Sequence, residues 1–270
     1  MECPVSADKG PVDLLELPAL LPARVASQPG RIARIIYQTF KSRHVPASMH
    51  AAAKSWIDQN PDYEYRFFGD EDIYAYANSF DCSDFPFSAD ELSRAIRSIK
   101  PGAGKADLFR YLIIYDQGGA YMDIDTFCLS PLSTFVHPDD EAVSGIGMRG
   151  DLHQWGLVYA AHHPFIKRTI ENSVSNILSR KFVPGFENTL EGLAGPPCLD
   201  LSIKEILGLP QAAVFQAGLY EIDIAGRKWR IRLLAKDLFD GNVGFKYQDY
   251  SSDLSKMGMK HWLHESLFDD

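Results

Sequence analysis

Ala106-Asp-Leu-Phe-Arg-Tyr-Leu-Ile-Ile-Tyr115, followed by Gly118-Gly-Ala-Tyr-Met-Asp-Ile-Asp-Thr126, is the stretch that decides the fold. In its first half Leu108, Tyr111, Leu112 and Tyr115 recur at i, i+3, i+4 and i+7. That spacing gives one continuous buried helix face, predicted over about 105 to 116. Pro101-Gly-Ala-Gly104 reads as a flexible break ahead of the helix, and Gly118-Gly119 as its end. Ala120 to Ile124 then reads as a short strand that delivers Asp123 and Asp125.

Working upstream, Ile32-Ala-Arg-Ile-Ile-Tyr37 is rich in β-branched residues and predicts a core strand. Pro46 opens a helix through Trp56 that Asn60-Pro61 ends. Tyr63-Glu-Tyr-Arg-Phe-Phe68 alternates like a second strand, and Gly69-Asp-Glu-Asp72 turns into a short helix. Downstream, apolar runs at 141–147 and 155–161 predict strands, 164–180 a helix, and 219–224 and 229–234 alternate. The order of strands and helices predicts an α/β chain with crossover helices over a sheet. Ligands in such sheets bind beyond the carboxyl ends of strands, where Asp123 and Asp125 fall.

The chain has 270 residues and is 46% hydrophobic, enough for one sizeable core. The expected organisation is a single domain over 31–270 behind an N-terminal arm, 1–30. Pro11, Pro18, Pro22 and Pro29 limit helix continuity in that arm, while Leu14, Leu15, Leu17, Leu20 and Leu21 suit docking on the body. A formal net charge of -9 argues against nonspecific binding to nucleic acid or an anionic membrane. Cys3, Cys82, Cys128 and Cys198 show neither a C-x-x-C pair nor zinc-finger spacing, so a reduced, cytoplasmic chain is the simpler expectation. Residues 1–8 do not read as a secretory signal, and no apolar run approaches the roughly 20 residues of a spanning helix. Peripheral attachment to a membrane stays compatible with this reading.

Two carboxylates one residue apart project to the same side of an extended backbone, so Asp123 and Asp125 can share one cation. As hard oxygen ligands they suit Mg2+ or Mn2+, which complete their shells with water and substrate phosphates. D-x-D alone is common, and in isolation a solvated strand end is the better reading of it. Asp107 and Arg110, at i and i+3 on a largely apolar helix, need partners. Two readings stay open for them: a local ion pair, or a pair that hydrogen-bonds a polar ligand such as a sugar. Trp56 fits core packing better than base stacking.

The sequence resembles glycosyltransferase family 32, the group with a D-x-D sugar-binding region that includes the yeast initiating α-1,6-mannosyltransferase and is related to the clostridial glucosylating toxins. The resemblance rests on Arg34-Ile-Ile-Tyr-Gln-Thr39, on Ser55-Trp-Ile-Asp-Gln-Asn-Pro-Asp-Tyr-Glu-Tyr-Arg66, and on Ala106-Asp-Leu-Phe-Arg-Tyr111 with Gly118-Gly-Ala-Tyr-Met-Asp-Ile-Asp125. It continues in His163-Pro164, Gly195-Pro196 and His261-Trp262. It implies a GT-A-like, Rossmann-type mixed sheet flanked by helices. It also implies a nucleotide-sugar donor such as a GDP- or UDP-hexose, a divalent metal, and retention of anomeric configuration. The acceptor would be a glycan or lipid-linked glycan, which places the chain in polysaccharide biosynthesis.

By position, Asp123 would approach the donor's ribose and sugar as well as the metal, and Asp125 would bind the metal. Asp107 and Arg110 would hold sugar hydroxyls, and Tyr37, Gln38 and Thr39 would border the nucleotide. His261 is the candidate for a further metal or diphosphate contact, ahead of His264, and Lys105 is a further candidate donor to the departing oxygen. The chain departs from the family pattern at His153-Gln-Trp-Gly-Leu-Val158, where Gln154 stands near a usual Asn, and at Ser266-Leu267. The competing readings are a haloacid-dehalogenase-like phosphatase, because Asp123-Ile-Asp-Thr126 also reads D-x-D-x-T, and a sugar-nucleotide-binding protein without turnover.

Overall fold

The computed structural model describes residues 13–26, 28–259 and 265–268. Leu14–Glu16 (β1) and Leu20–Leu21 (β2) precede Ile35–Thr39 (β3), His44–Pro46 (β4) and the helix Ala47–Gln59 (α1). Glu64–Phe68 (β5) leads to Asp70–Ser79 (α2), Ala89–Ser98 (α3) and Gly102–Gln117 (α4). Gly119–Met122 (β6), Phe127–Cys128 (β7), Ala142–Gly145 (β8) and Gly156–Tyr159 (β9) then run to Pro164–Ser179 (α5), Glu191–Ala194 (α6) and Pro196–Leu207 (α7). The hairpin Gly218–Ile224 (β10) and Arg227–Leu234 (β11) is followed by Lys236–Asp240 (α8), Val243–Gly244 (β12) and Tyr250–Lys256 (α9).

Eight strands form one mixed sheet in the order β10-β11-β8-β9-β6-β3-β5-β2. β3 pairs parallel with both β5 and β6, and β9 runs antiparallel to β6. The period of two along each strand sorts side chains onto two faces. Tyr37, Tyr121 and Leu157 join the core under α2 to α7, while Ile36, Ala120, Met122 and Val158 join the core under α1 and α8. This is the expected α/β sheet flanked by helices, and its continuity makes it one domain.

The Pro101-Gly-Ala-Gly104 stretch, expected to be a break, is instead the first turn of α4, with Pro101 as its N-cap. A Cβ at Gly104 would meet Leu190 Cδ1 at 2.5 Å and Ile99 Cγ2 at 2.6 Å, so those side chains would have to shift to admit one. At the other end Gly118 takes φ 65° and ψ -176°, a conformation only glycine adopts readily. That sharp exit turns α4 directly into β6. The first core strand starts three residues later than its β-branched run, at Ile35, while Arg34 turns out to pair with Asp62. The described part of the N-terminal arm is woven into the body: β1 pairs with β4, β2 forms the sheet edge beside β5, and Leu17 is fully buried.

Candidate active site

The sheet end that carries Asp123 opens into a cleft of about 1050 Å3. Its floor is built by the α4-to-β6 segment. Arg110 is almost fully buried and spends its guanidinium on the protein: Nη2 lies 3.0 Å from Asp107 Oδ1 and 2.9 Å from Asp123 Oδ1. Nη1 donates to the Gln154 carbonyl at 3.1 Å and Nε to the Ala106 carbonyl at 3.3 Å. The same group stands 4.7 Å above the Tyr121 ring. Four of its five donor directions are therefore taken, and Arg110 acts chiefly by holding the two carboxylates in place. Of the two readings left open on the sequence, the ion pair is present, and both Asp107 and Arg110 line the cleft.

Backbone bonds fix the D-x-D turn itself. Asp123 N–H donates to the Trp155 carbonyl at 2.9 Å, tying the end of β6 to the start of β9. The Asp123 carbonyl accepts from Thr126 Oγ1 at 2.6 Å and from Gln38 Nε2 at 3.3 Å. Thr126 is fully buried and also receives Trp56 Nε1 at 3.2 Å, so its hydroxyl is unavailable to a substrate phosphate. This opposes the phosphatase reading, which needs that hydroxyl at the substrate and Asp123 free to attack. Trp56 is a core residue, as its helix pattern indicated.

The Asp125 carboxylate faces the cleft and makes no side-chain hydrogen bond or ion pair with another described residue. Burial, then the neighbouring Asp123, push its carboxyl up to about 7, with Lys246 pulling the other way. Burial likewise pushes Asp107 up to about 7 against the pull of Arg110. Three carboxylates thus share one buried guanidinium, a local deficit of positive charge that a divalent cation on Asp123 and Asp125 would offset. Hard oxygen donors at this density fit Mg2+ or Mn2+.

Of the three residues expected along the nucleotide, Thr39 lines the cleft, its Oγ1 2.8 Å from Tyr121 OH. Tyr37 and Gln38 do not reach it. Tyr37 belongs to the core under α2 to α7, and Gln38 is fully buried beneath Asp123, its Oε1 accepting from Tyr65 OH at 3.0 Å. Lys105 lines the cleft, and Gln154 supports its floor through Tyr111 OH at 2.7 Å and the Ala194 carbonyl at 3.0 Å. Gly195-Pro196 caps α7, with Pro196 at the cleft wall. His261, His264 and Trp262 lie outside the described residues.

The sequence reading missed the segment after β11. β12 pairs with β7, and Tyr247 N–H donates to the Asp125 carbonyl at 3.0 Å, which brings Phe245 and Lys246 to the cleft beside the D-x-D turn. Phe245 packs on Trp155 with ring centroids 4.9 Å apart, forming an aromatic wall.

The family model described as "Glycosyltransferase sugar-binding region containing DXD motif" matches residues 46–143, from the end of β4 into β8. The match takes in a little over a third of the chain. The matched stretch contains α4, β6 and the D-x-D turn, while Phe245 and Lys246 lie outside it. Similar proteins include inositol phosphoceramide mannosyltransferase 3 of Schizosaccharomyces pombe, 30% identical over 54% of this chain and 38% of that protein. Mannosyl phosphorylinositol ceramide synthase SUR1 of Saccharomyces cerevisiae is 27% identical over 66% of this chain and 43% of its own length. The initiation-specific alpha-1,6-mannosyltransferase of Candida albicans is 27% identical over 55% and 40%. The chain thus spans less than half the length of these curated relatives. Among solved structures, the PaToxG glycosyltransferase is similar with a TM-score of 0.47 and 20% identity, over 66% of this chain and 70% of that one. No helix among the described residues is long and apolar enough to cross a membrane.

Proposed function

We propose that the chain is a metal-dependent glycosyltransferase that moves a hexose from a nucleotide-sugar donor to a hydroxyl of a glycan or lipid-linked acceptor, with retention of configuration. The observation that carries this reading is the Asp107, Arg110 and Asp123 cluster on the floor of a large cleft, with the Asp125 carboxylate beside it, which makes no side-chain hydrogen bond or ion pair among the described residues. The mannosyltransferase names of the relatives support mannose as the sugar.

Asp123 and Asp125 would hold Mn2+ or Mg2+, which when bound supplies Lewis-acid stabilisation of the departing diphosphate. The chain's own groups do the remaining work. Asp107 and Asp123, held by Arg110, accept hydrogen bonds from sugar and ribose hydroxyls. Lys246 places a positive charge beside Asp125, where negative charge would build on the leaving oxygen. Trp155 and Phe245 cover one side of the donor and limit water, and hence hydrolysis. Retention follows if the acceptor hydroxyl attacks on the leaving group's own face, a route that asks for no protein nucleophile.

A thermal-shift screen of GDP-mannose, UDP-glucose and UDP-galactose, with and without Mn2+, tests this proposal. A donor at 100 times its dissociation constant adds about 2.7 kcal/mol to stability. The expected result is a Mn2+-dependent rise in Tm that Asp125→Ala abolishes. No shift with any donor contradicts it.

A further inference from the structure

β6, β8 and β11 run in one direction, because β11 pairs parallel with β8 while β6 and β8 both pair antiparallel with β9. Their carboxyl ends therefore lie on one side of the sheet, the side on which the cleft opens. Each strand leads there to a segment that points an apolar side chain at solvent. After β8 the chain makes a tight turn, Gly147 N–H donating to the Asp151 carbonyl at 2.7 Å and Gly150 N–H to the Gly147 carbonyl at 3.1 Å. Met148, at its tip, is 87% exposed, and Arg149 beside it is exposed too. Phe215 N–H donates to the Gly150 carbonyl at 2.9 Å, which sets Val214, 60% exposed, against the same turn. After β11, α8 buries Phe239 and turns Leu238 outward, 55% exposed. After β6, the D-x-D turn holds the Tyr247 backbone, and Phe245 and Lys246 stand exposed just before it.

These tips form one rim. The Phe245 and Trp155 ring centroids are 4.9 Å apart, those of Trp155 and Phe239 5.2 Å, and those of Phe239 and His153 5.5 Å. A Cβ on Gly147 would lie 3.5 Å from His153 Cε1, so the row continues from the cleft mouth to the Met148 turn. Phe239 belongs to the core under α1 and α8, whereas Met148, Val214 and Leu238 take part in neither core. Exposed apolar groups gathered in one place mark an interaction surface.

We propose that this rim seats the protein on a phospholipid bilayer, with Met148, Val214 and Leu238 entering the headgroup boundary and the cleft opening toward the lipid. Shape and charge both favour lipid over a protein partner. The apolar side chains stand singly on separate segments, with Arg149 and Asp237 beside them. Such points fit between headgroups, whereas a stable protein partner needs about 800 Å2 of matched surface on each side. Arg149 and Lys246 are exposed cations on a chain whose net charge is -9, and the Asp240 carboxylate near them is paired with Lys236. Cations at the surface attract anionic headgroups, and the exposed Asp237 opposes them. The inference stands on the rim alone and holds whichever ligand the cleft takes.

Flotation of the full chain with vesicles of phosphatidylcholine and phosphatidylserine, about 7:3 and in about 0.15 M salt, tests it. The wild type is expected to float with the vesicles. Met148→Ser combined with Leu238→Ser is expected to lower the partition coefficient about tenfold or more, because one such side chain fully withdrawn from water is worth about that factor. Asp237→Asn should raise it about fivefold. Val25→Ser is the control: Val25 is 52% exposed, but its N–H bonds the Pro61 carbonyl, which precedes β5 at the opposite end of the sheet, and flotation should not change. All four side chains are exposed, so Tm is expected to stay constant. A wild type that does not float overturns the inference, as does flotation that the double variant lowers no more than Val25→Ser, or an Asp237→Asn that floats less than the wild type. A dimer in analytical sedimentation that the double variant abolishes makes the rim a contact between two copies and overturns it as well.

Discussion

Arg110, in the middle of α4, and Asp123, just past the end of β6, meet at 2.9 Å although a full helix exit and a strand lie between them. The contact exists because Gly118 reverses the chain so tightly that β6 runs back along α4. Removing the guanidinium would strand the buried carboxylate of Asp107 and the half-buried one of Asp123. Arg110→Ala is therefore expected to cost about 3–5 kcal/mol, measured by urea denaturation at pH 7. A loss below about 1 kcal/mol would show that neither carboxylate depends on the pair.

Lys246 adopts a left-handed backbone, φ 56°, held by the β12 pairing before it and the Tyr247 bond after it. The side chain is exposed, so its loss should leave stability alone. Lys246→Ala is expected to lower donor kcat/KM by about tenfold or more with an unchanged Tm, since one hydrogen bond to a charged group is removed. Unaltered steady-state kinetics would take Lys246 out of the site.

His163 caps α5, its Nδ1 accepting from Phe165 N–H at 3.2 Å while Nε2 finds no partner among the described residues. Burial pulls its pKa down to about 3. The folded state holds it neutral while the unfolded chain protonates near its ordinary value of about 6.5. Stability is therefore complete above that value and declines as pH falls toward 3, at up to about 1.4 kcal/mol per unit. His163→Asn keeps a capping acceptor without a titration, and denaturant midpoints from pH 7 to 4 should fall less steeply for it than for the wild type. Parallel pH profiles would remove His163 as a source of acid sensitivity.

The residues that carry local periodicity were legible in the sequence. The i, i+3, i+4, i+7 face of α4, the β-branched run of β3 and the apolar runs of β8 and β9 each appear close to their expected places. α3 was missed although Ser88 and Glu91 form a capping box that can be read as a helix start. Tyr37, Gln38 and Thr39 show a different limit. Strand position said which end of β3 nears the ligand, but only the pleat and the packing of α2 decide that Thr39 reaches the cleft. Phe245 and Lys246 had no local signal, because a two-residue strand pairing with distant Phe127–Cys128 sets their place. The charge deficit around Asp125 is likewise a property of tertiary contacts, since no spacing rule announces that Arg110 is already spent.

The central claim is that Asp125 anchors a metal-dependent donor site, and turnover of the nucleotide sugar measures it most directly. Release of nucleoside diphosphate from the donor that stabilises the protein should be followed with and without Mn2+, for the wild type and Asp125→Ala. The account predicts Mn2+-dependent release by the wild type and none by the variant, with both folded by circular dichroism. Near-normal release by folded Asp125→Ala would contradict it.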